Sequence, residues 1–108
     1  SGEEERDLLH VDDLVACIEA ALTSQDTNYE LVNVGLGESI SISNLVQSMV
    51  STSGRDLQIK YDETKPTIKT KLAVDVTKAE KAFGWSPKIS LDSGIKKTLS
   101  WYKENKLC

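Results

Sequence analysis

The sequence contains little cysteine and no long apolar run. Its two cysteines, Cys17 and Cys108, are too few for a disulfide scaffold or a cysteine-rich zinc site, and they favour a reducing, cytoplasmic location. No stretch approaches the roughly 18 consecutive apolar residues of a membrane span, and no apolar segment follows a basic start as in a signal peptide. The sequence therefore predicts neither a membrane protein nor a disulfide-stabilised secreted protein.

Positive charge is also scarce. The chain has 13 Lys and Arg against 17 Asp and Glu, which gives a formal net charge of −4. Because a general nucleic-acid surface needs a basic face, this balance argues against nucleic acid as a partner. A chain of 108 residues is long enough for one core but not for two, so residues 1–108 are predicted to form a single domain.

Four segments have helical periodicity, and short strand-like segments lie between them. The helices are predicted to begin near Val11, after a Ser41 cap, after a Thr77 cap and after Ser90. Gly84 is placed to end the third helix in a left-handed turn. The strand-like segments are LLHV, YELVNVG, LQIKY and KLAV. This order predicts an α/β fold with about four helices and a few short strands.

The first predicted helix has an apolar stripe that we expect to face the core. It consists of Val11, Leu14, Cys17, Ile18, Ala21 and Leu22. Because Cys17 belongs to this stripe, core packing is favoured over a reactive thiol. In the last helix, Gly94 is unfavourable for helix stability, and close packing against another element is the expected reason for it.

The segment RDLLHVDDL, residues 6–14, places the only histidine of the chain among three aspartates. A metal site is disfavoured because adjacent aspartates on a helix point about 100° apart and no second His or Cys stands at ligand spacing. Spacing alone does not exclude a Ser-His-Asp triad. Aspartates are favoured in a first helical turn by the helix dipole, so His10 is predicted to orient and cap the helix.

A second motif, NVGLGES, resembles the start of a dinucleotide-binding loop. Gly35 and Gly37 stand between a predicted strand and a predicted helix. The third glycine of the motif would fall at Ile40, and the helix begins later than the motif requires. A tight turn that needs positive φ is therefore the favoured interpretation.

The segment YDETKPTIKTKLAVD contains a row of lysines. Lys65, Lys69 and Lys71 alternate with other residues, so an extended chain presents all three on one side. Three ammonium groups in a row suit a diphosphate, which they would bind as point charges. The alternative is a solvated, lysine-rich edge strand that discourages aggregation. The pattern favours neither interpretation over the other.

Three segments together resemble a known family. RDLLHVDDLV, NVGLGESISISNL and TKPTIKTKLAVDVTKAEKAFGWSPKISLDSGIKKTLSWY are similar, in order, to the C-terminal portion of extended short-chain dehydrogenases/reductases that act on nucleotide sugars. The run from TKP to GW is most similar to the GDP-L-fucose synthases. UDP-glucose 4-epimerases and nucleotide-sugar dehydratases are the neighbouring alternatives.

The resemblance implies a substrate-binding role for three residues. Arg6 would contact the diphosphate of a nucleotide sugar, and Lys65 and Lys71 would face it as well. Lys69, which alternates with the other two lysines, is assigned to the same substrate site. The resemblance also implies a structural role for Asp75. The chain departs from the fucose synthases at Lys71, where they have an arginine, and at residues 67–68, where they have Asp-Gly. A lysine lacks the forked donors of arginine, so nucleotide and sugar specificity do not follow from the resemblance.

The resemblance further implies that the catalytic and NAD(P)-binding residues belong to a Rossmann half that is missing from this chain. Two segments, YDETK and YKENK, match Tyr-x-x-x-Lys, but this pair works only on a helix next to a cofactor, where the ammonium lowers the phenol pKa. The first segment runs into proline and the second lies at a helix end, so no catalytic, cofactor-binding or metal-binding residue is predicted here.

We expect residues 10–35 to pack on the missing Rossmann half of the parent enzyme. The chain alone would then expose apolar surface and be able to self-associate. Two other functions stay open at this point. The chain could be a stand-alone module that binds nucleotides or proteins through Arg6 and the lysines, or a small enzyme that uses His10.

Overall fold

Helices dominate the computed structural model, which describes residues 1–105. The two short strands and four helices are, in chain order, β1 (Glu5–Arg6), α1 (Val11–Ser24), β2 (Ile40–Ser41), α2 (Ile42–Ser53), α3 (Thr77–Phe83) and α4 (Leu91–Asn105). Helix α1 packs on α3, and α2 packs on α4. The predicted α/β class with four helices is confirmed.

Local side-chain chemistry sets the helix ends. The Nδ1 of His10 accepts a hydrogen bond from the backbone N–H of Asp12 over 3.1 Å, and Ser41 Oγ accepts one from Asn44 over 3.2 Å. Each satisfies an amide that has no partner within its own helix. Gly84 ends α3 with a φ of 64°. The predicted caps at His10, Ser41 and Gly84 are confirmed.

The start of α3 differs from the prediction. Thr77 is the first residue of the helix, and its backbone N–H donates to Asp75 Oδ1 over 2.9 Å. Hydrogen bonds from Thr77 hold the pKa of Asp75 below its usual value. A carboxylate two residues before the helix thus takes the place of the predicted threonine cap, in agreement with the structural role that was expected for Asp75.

Strand β1 lies at the centre of a small ladder. It pairs antiparallel with β2, so that Glu5 is opposite Ser41 and Arg6 is opposite Ile40. On its other edge, Glu5 forms a parallel bridge with Lys71. Two backbone hydrogen bonds hold this bridge, one from Glu5 to the Thr70 carbonyl at 2.8 Å and one from Leu72 to the Glu5 carbonyl at 3.2 Å.

Most of the predicted strands do not form. Residues 8–10, 29–35 and 57–61 are not assigned to strands, and of the KLAV segment only Lys71 is paired. Apolar alternation identifies a chain that suits a sheet, but a strand also needs a neighbour whose backbone groups pair with its own. Within residues 1–105 that neighbour is absent for these three segments.

The core is small and lies between α1 and α3. It consists of Cys17, Ala79, Phe83 and Trp85, with partly buried apolar side chains around it. Burial raises the pKa of the Cys17 thiol, and the predicted core position of this residue is confirmed. Gly94 is also buried, and a Cβ there would lie 3.1 Å from the His10 ring, so close packing explains this glycine as expected.

Of the predicted apolar stripe on α1, Cys17 and Ala21 face the core, but the larger side chains do not, contrary to the prediction. Val11, Ile18 and Leu22 are 62%, 52% and 81% exposed. Helix α1 instead packs on α3 through a narrow face of Cys17, Ala20 and Ala21, because small side chains allow the close approach. The larger side chains are left on the outside of the molecule.

The chain has more surface than a self-contained protein of its mass. Its accessible surface is 8136 Å², whereas a monomeric protein of this size exposes about 6,000 Å². Its radius of gyration is 16.7 Å, against about 13 Å for a compact domain of this length. The chain is therefore less compact than a single domain of its length. Within residues 1–105, no helix is both long and apolar enough to cross a membrane.

Candidate functional site

Two of the predicted cationic residues lie next to each other on one face of the ladder. Lys69 Nζ is 2.6 Å from Glu3 Oε2, and Lys71 Nζ is 3.2 Å from Glu5 Oε2. Both lysine side chains are largely exposed. The alternation of the sequence thus brings Lys69 and Lys71 to the same side, but each ammonium already has a carboxylate partner.

The carboxylate of Glu5 is held from two directions. Ser39 Oγ donates to Glu5 Oε2 over 2.5 Å, the same oxygen that Lys71 approaches. The hydrogen bond from Ser39 and then the one from Lys71 hold the pKa of Glu5 below its usual value. The pKa of Glu3 is lowered in the same way, chiefly by Lys69. These acidic partners were missed at the sequence level, although Glu3 and Glu5 alternate with the same period as the lysines.

Arg6 lies on the opposite face of the ladder. Its Nη1 donates to Thr70 Oγ1 over 2.8 Å, and its Nη2 is 3.0 Å from Glu4 Oε2. Since successive side chains of a strand point to opposite faces, Arg6 and Glu5 diverge. The expectation that Arg6 and the lysines converge on one face is therefore wrong. The sequence contains no information on the register that joins residues 5–6 to residues 69–71.

The guanidinium nevertheless reaches residues 69–71, the segment that carries two of the lysines. Arg6 Nη1 is 3.4 Å from the Thr70 carbonyl oxygen as well as close to the Thr70 hydroxyl. Thr70 stands between Lys69 and Lys71. Residues 69–71, which we call the edge segment, therefore have the guanidinium of Arg6 on one face and two ammonium groups on the other. Lys65 lies outside this segment, in an exposed turn whose backbone bonds to Asp62.

The two Tyr-x-x-x-Lys matches differ in what the structure describes. Residues 61–65 form no helix, so Tyr61 and Lys65 lack the shared helical face that the motif needs, as predicted. The second match depends on Lys106, which lies outside the described residues, as does Cys108.

The aspartates of RDLLHVDDL connect separate parts of the fold. Asp7 accepts three backbone hydrogen bonds, from Leu36 at 2.6 Å, Gly37 at 3.0 Å and Val74 at 3.2 Å. It thereby joins β1 to the loop before β2 and to the segment before α3. The interpretation of this motif as structural is confirmed for Asp7.

The two following aspartates hold α1 in place. Asp13 is 4% exposed, and its Oδ2 accepts the backbone N–H groups of Lys88 and Ile89 over 3.1 and 2.9 Å. Asp12 Oδ2 is 2.5 Å from Lys97 Nζ on α4, and this contact holds the pKa of Asp12 below its usual value. Among residues 1–105, no group of three or more His, Cys, Asp and Glu is arranged to hold a metal ion.

The glycine loop does not fit the pyrophosphate of NAD(P). Such a loop needs free backbone N–H groups at the start of a helix, but the N–H groups of Leu36 and Gly37 already bond to Asp7, and α2 begins only at Ile42. Gly37 has a φ of 85°, as predicted. Gly35 is needed for a different reason, because a Cβ there would lie 2.4 Å from Val74 Cγ2.

A cleft with a volume of about 310 Å³ lies between α2, α4 and the segment before α1. Its wall is mainly apolar and includes Leu9, Met49, Ile95 and Leu99. The cleft does not include Arg6, Lys69 or Lys71. The cationic edge and the apolar cleft are thus separate features of the molecule.

Comparisons with known proteins agree on one family. The family model for GDP-mannose 4,6 dehydratase matches residues 1–98. The putative GDP-L-fucose synthase 2 of Arabidopsis thaliana is 39% identical over 106 residues, which cover 97% of this chain and 31% of the relative. The UDP-glucuronate 4-epimerase of Thermodesulfobacterium geofontis is 33% identical over 106 residues, which cover 96% of this chain and 32% of the relative.

The fold comparison gives the same family. The crystal structure of UDP-glucose 4-epimerase from Thermotoga maritima with UDP-glucose superposes with a TM-score of 0.86 at 29% identity, covering 98% of this chain and 34% of that one. The chain spans about a third of the length of these relatives. It belongs to the GDP-mannose 4,6-dehydratase family of extended short-chain dehydrogenases/reductases, whose known members include nucleotide-sugar epimerases and dehydratases.

Proposed function

We propose that this chain is the nucleotide-sugar-binding portion of an NAD(P)-dependent epimerase or reductase such as GDP-L-fucose synthase. The observation that carries the proposal is the edge segment around Thr70, which the Arg6 guanidinium reaches from one face while Lys69 and Lys71 extend from the other. The chain by itself is not catalytic. The hydride and proton transfers belong to a cofactor-binding Rossmann half outside it.

The chemistry of the edge suits a diphosphate. Arg6 has a planar fork of N–H donors that matches the oxygens of a phosphate, whereas the lysines are compact positive charges on flexible stems. The Arg6 guanidinium already bonds to the Thr70 hydroxyl. The guanidinium and the hydroxyl can therefore donate hydrogen bonds to the same ligand. Lys65 lies in the exposed turn before the edge segment. We assign it to the same substrate, as the fourth cationic residue that contacts it.

The cofactor-binding half would cover residues 10–35. This region presents the exposed side chains of Val11, Ile18 and Leu22 on α1, followed by an extended segment in which Tyr29 and Leu31 are 82% and 79% exposed. Large exposed apolar patches mark protein contacts in soluble proteins. The accessible surface in excess of that of a compact monomer supports the same conclusion. Without its partner half, the chain is expected to self-associate.

The runner-up function is the same portion of a UDP-glucose 4-epimerase or of a nucleotide-sugar dehydratase. Relatives named for GDP-linked and UDP-linked sugars match the chain to similar extents, and Lys71 lacks the forked donors that would favour the fucose synthases. A stand-alone binding module is the second alternative. An enzyme based on His10 is disfavoured because its Nδ1 caps α1. The paucity of cysteine supports a cytoplasmic location.

Calorimetric titration of the chain with GDP-sugars and UDP-sugars tests the proposal. We expect Arg6→Ala and Lys71→Ala to weaken binding about tenfold, the equivalent of about 1.4 kcal/mol. Lys103→Ala, which removes a charge from α4, is the matched control and should leave the affinity unchanged. Identical heats of binding in the wild-type chain and the three variants would exclude a diphosphate site at this edge. The coding sequence upstream of Ser1 distinguishes a part of a larger enzyme from a free module.

A further inference from the structure

The lysines of the edge segment are neutralised by carboxylates of the same chain. Because Glu5 is in register with Lys71, the odd-numbered residues on both strands share a face, which brings Glu3 to Lys69 and Glu5 to Lys71. On the other face, Glu4 pairs with Arg6. Three carboxylates thus oppose three cationic groups, and the edge has no surplus positive charge.

The two members of the Glu5–Lys71 pair are fixed to different degrees. The Lys71 side chain is 73% exposed, whereas that of Glu5 is 32% exposed, and Glu5 is also bonded to Ser39. Lysine has a flexible stem of four carbons, and exposed ion pairs contribute little to stability. The ammonium can therefore leave the pair at small cost, while the carboxylate stays in place.

We propose that Glu3 and Glu5 are built-in counter-ions, which a diphosphate must displace from Lys69 and Lys71 before it binds. This inference rests on the proposed function and adds specificity to it. Both carboxylates repel an anion that approaches, and Glu5 does so from a position fixed by Ser39. Ligands with a single weak negative charge gain too little from the lysines to replace them, whereas a diphosphate with two charges gains enough. Glu3 and Glu5 thus set the minimum negative charge that a ligand needs in order to bind at Lys69 and Lys71.

Neutralising a counter-ion without changing its shape tests this inference. Glu5→Gln keeps an oxygen that can accept the Ser39 hydrogen bond but removes the charge. Removing one negative charge beside the bound anion is expected to tighten GDP binding about fivefold in a solvent-exposed site. Glu3→Gln should act in the same direction. Glu104→Gln, which removes an equal charge from α4, is the control.

Calorimetry of the 108-residue chain with GDP, and separately with inorganic monophosphate, gives the readout. The Glu5→Gln variant should bind GDP more tightly and should gain less affinity for monophosphate, because the repulsion that is removed scales with the charge of the ligand. Affinity that is unchanged or lower in both Glu variants overturns the counter-ion role, and a parallel change in Glu104→Gln does so too.

The Lys71→Ala variant separates this failure from that of the proposed function. If Lys71→Ala weakens GDP binding while Glu3→Gln and Glu5→Gln have no effect, the diphosphate site stands and only the counter-ion role is wrong. If no variant and no wild-type sample binds GDP, both proposals are wrong. Displacement itself is visible as a change in the carboxyl carbon resonance of Glu5 when GDP is added to the wild-type chain.

Discussion

The indole nitrogen of Trp85 donates a hydrogen bond to the backbone carbonyl oxygen of Asp13 over 3.0 Å. Both residues are buried, and the Asp13 carboxylate accepts two further backbone N–H groups, from Lys88 and Ile89. Helix α1 is thus attached to the segment between α3 and α4 by three polar contacts next to a small apolar core. Asp13 is a structural residue whose removal affects the whole fold.

Replacing Asp13 is expected to destabilise the protein strongly. Asp13→Ala leaves the partly buried N–H groups of Lys88 and Ile89 without an acceptor, and at about 1 kcal/mol for each such bond the free energy of unfolding should fall by about 2 kcal/mol. Asp13→Asn keeps one oxygen and should lose less. Urea denaturation followed by tryptophan fluorescence measures both variants. Asp12→Ala, which removes the neighbouring exposed carboxylate, is the control, and an equal loss there would contradict the assignment.

The loop before β2 depends on the absence of a side chain at position 35. In Gly35→Ala the new Cβ would lie 2.4 Å from Val74 Cγ2 and 2.8 Å from Asp7 Oδ2, so these side chains or the backbone must shift. Overpacking of this kind costs about 2 kcal/mol. We expect the Gly35→Ala/Val74→Ala double variant to regain part of that loss relative to the sum of the two single variants. Strictly additive effects in thermal unfolding would show that the contact is unimportant.

Acid should weaken the fold through the carboxylates of the ladder. The hydrogen bonds from Ser39 and then from Lys71 lower the folded-state pKa of Glu5. The contact with Lys69 lowers the folded-state pKa of Glu3. Such groups stabilise the folded state above their unfolded pKa, and the stabilisation disappears as the pH falls through the folded pKa. The free energy of unfolding should therefore decrease below about pH 4.

The Glu5→Gln variant measures the share of Glu5 in this acid sensitivity. Urea midpoints taken between about pH 3 and about pH 7 should vary less with pH in Glu5→Gln than in the wild-type chain. Some dependence will remain, because the pKa values of Asp12 and Asp75 are also lowered. Superimposable pH curves for the two proteins would show that the Ser39 and Lys71 contacts do not persist in solution.

The outward face of α1 should control self-association. Ile18→Lys and Leu22→Lys place a charge at positions that are 52% and 81% exposed, so they should leave the stability nearly unchanged while they disrupt apolar contacts between molecules. Sedimentation velocity should show a smaller average mass for both variants, with less binding of an apolar dye. Glu19→Lys on the same helix is the control. A wild-type chain that sediments as a compact monomer without dye binding would contradict the prediction.

Signals that act within a few residues were predicted well. The His10 and Ser41 caps, the Gly84 terminus and the helical periodicity depend on neighbouring residues, and each is found where the sequence placed it. The Thr77 cap is an error of the same local kind, since the carboxylate of Asp75 lies two residues earlier and is the stronger acceptor.

Features that depend on distant residues were predicted poorly. The Lys69–Lys71 alternation was visible, but the opposite orientation of Arg6 follows from the register between two segments that are more than 60 residues apart in sequence. The apolar stripe of α1 was identified, but which of its residues face α3 depends on the small side chains of that interface. Extended segments such as residues 29–35 remain unpaired because pairing requires a neighbouring strand.

The outward apolar face of α1 has a thermodynamic consequence. A partner that covers this face binds the folded chain and not the unfolded one, so its binding free energy adds to the stability of the chain, and the Tm rises with partner concentration. Folding and assembly are then a single linked equilibrium. A substitution on α1 that is silent when the chain is studied alone can be costly once the partner is present, because the contact it removes exists only in the assembled state.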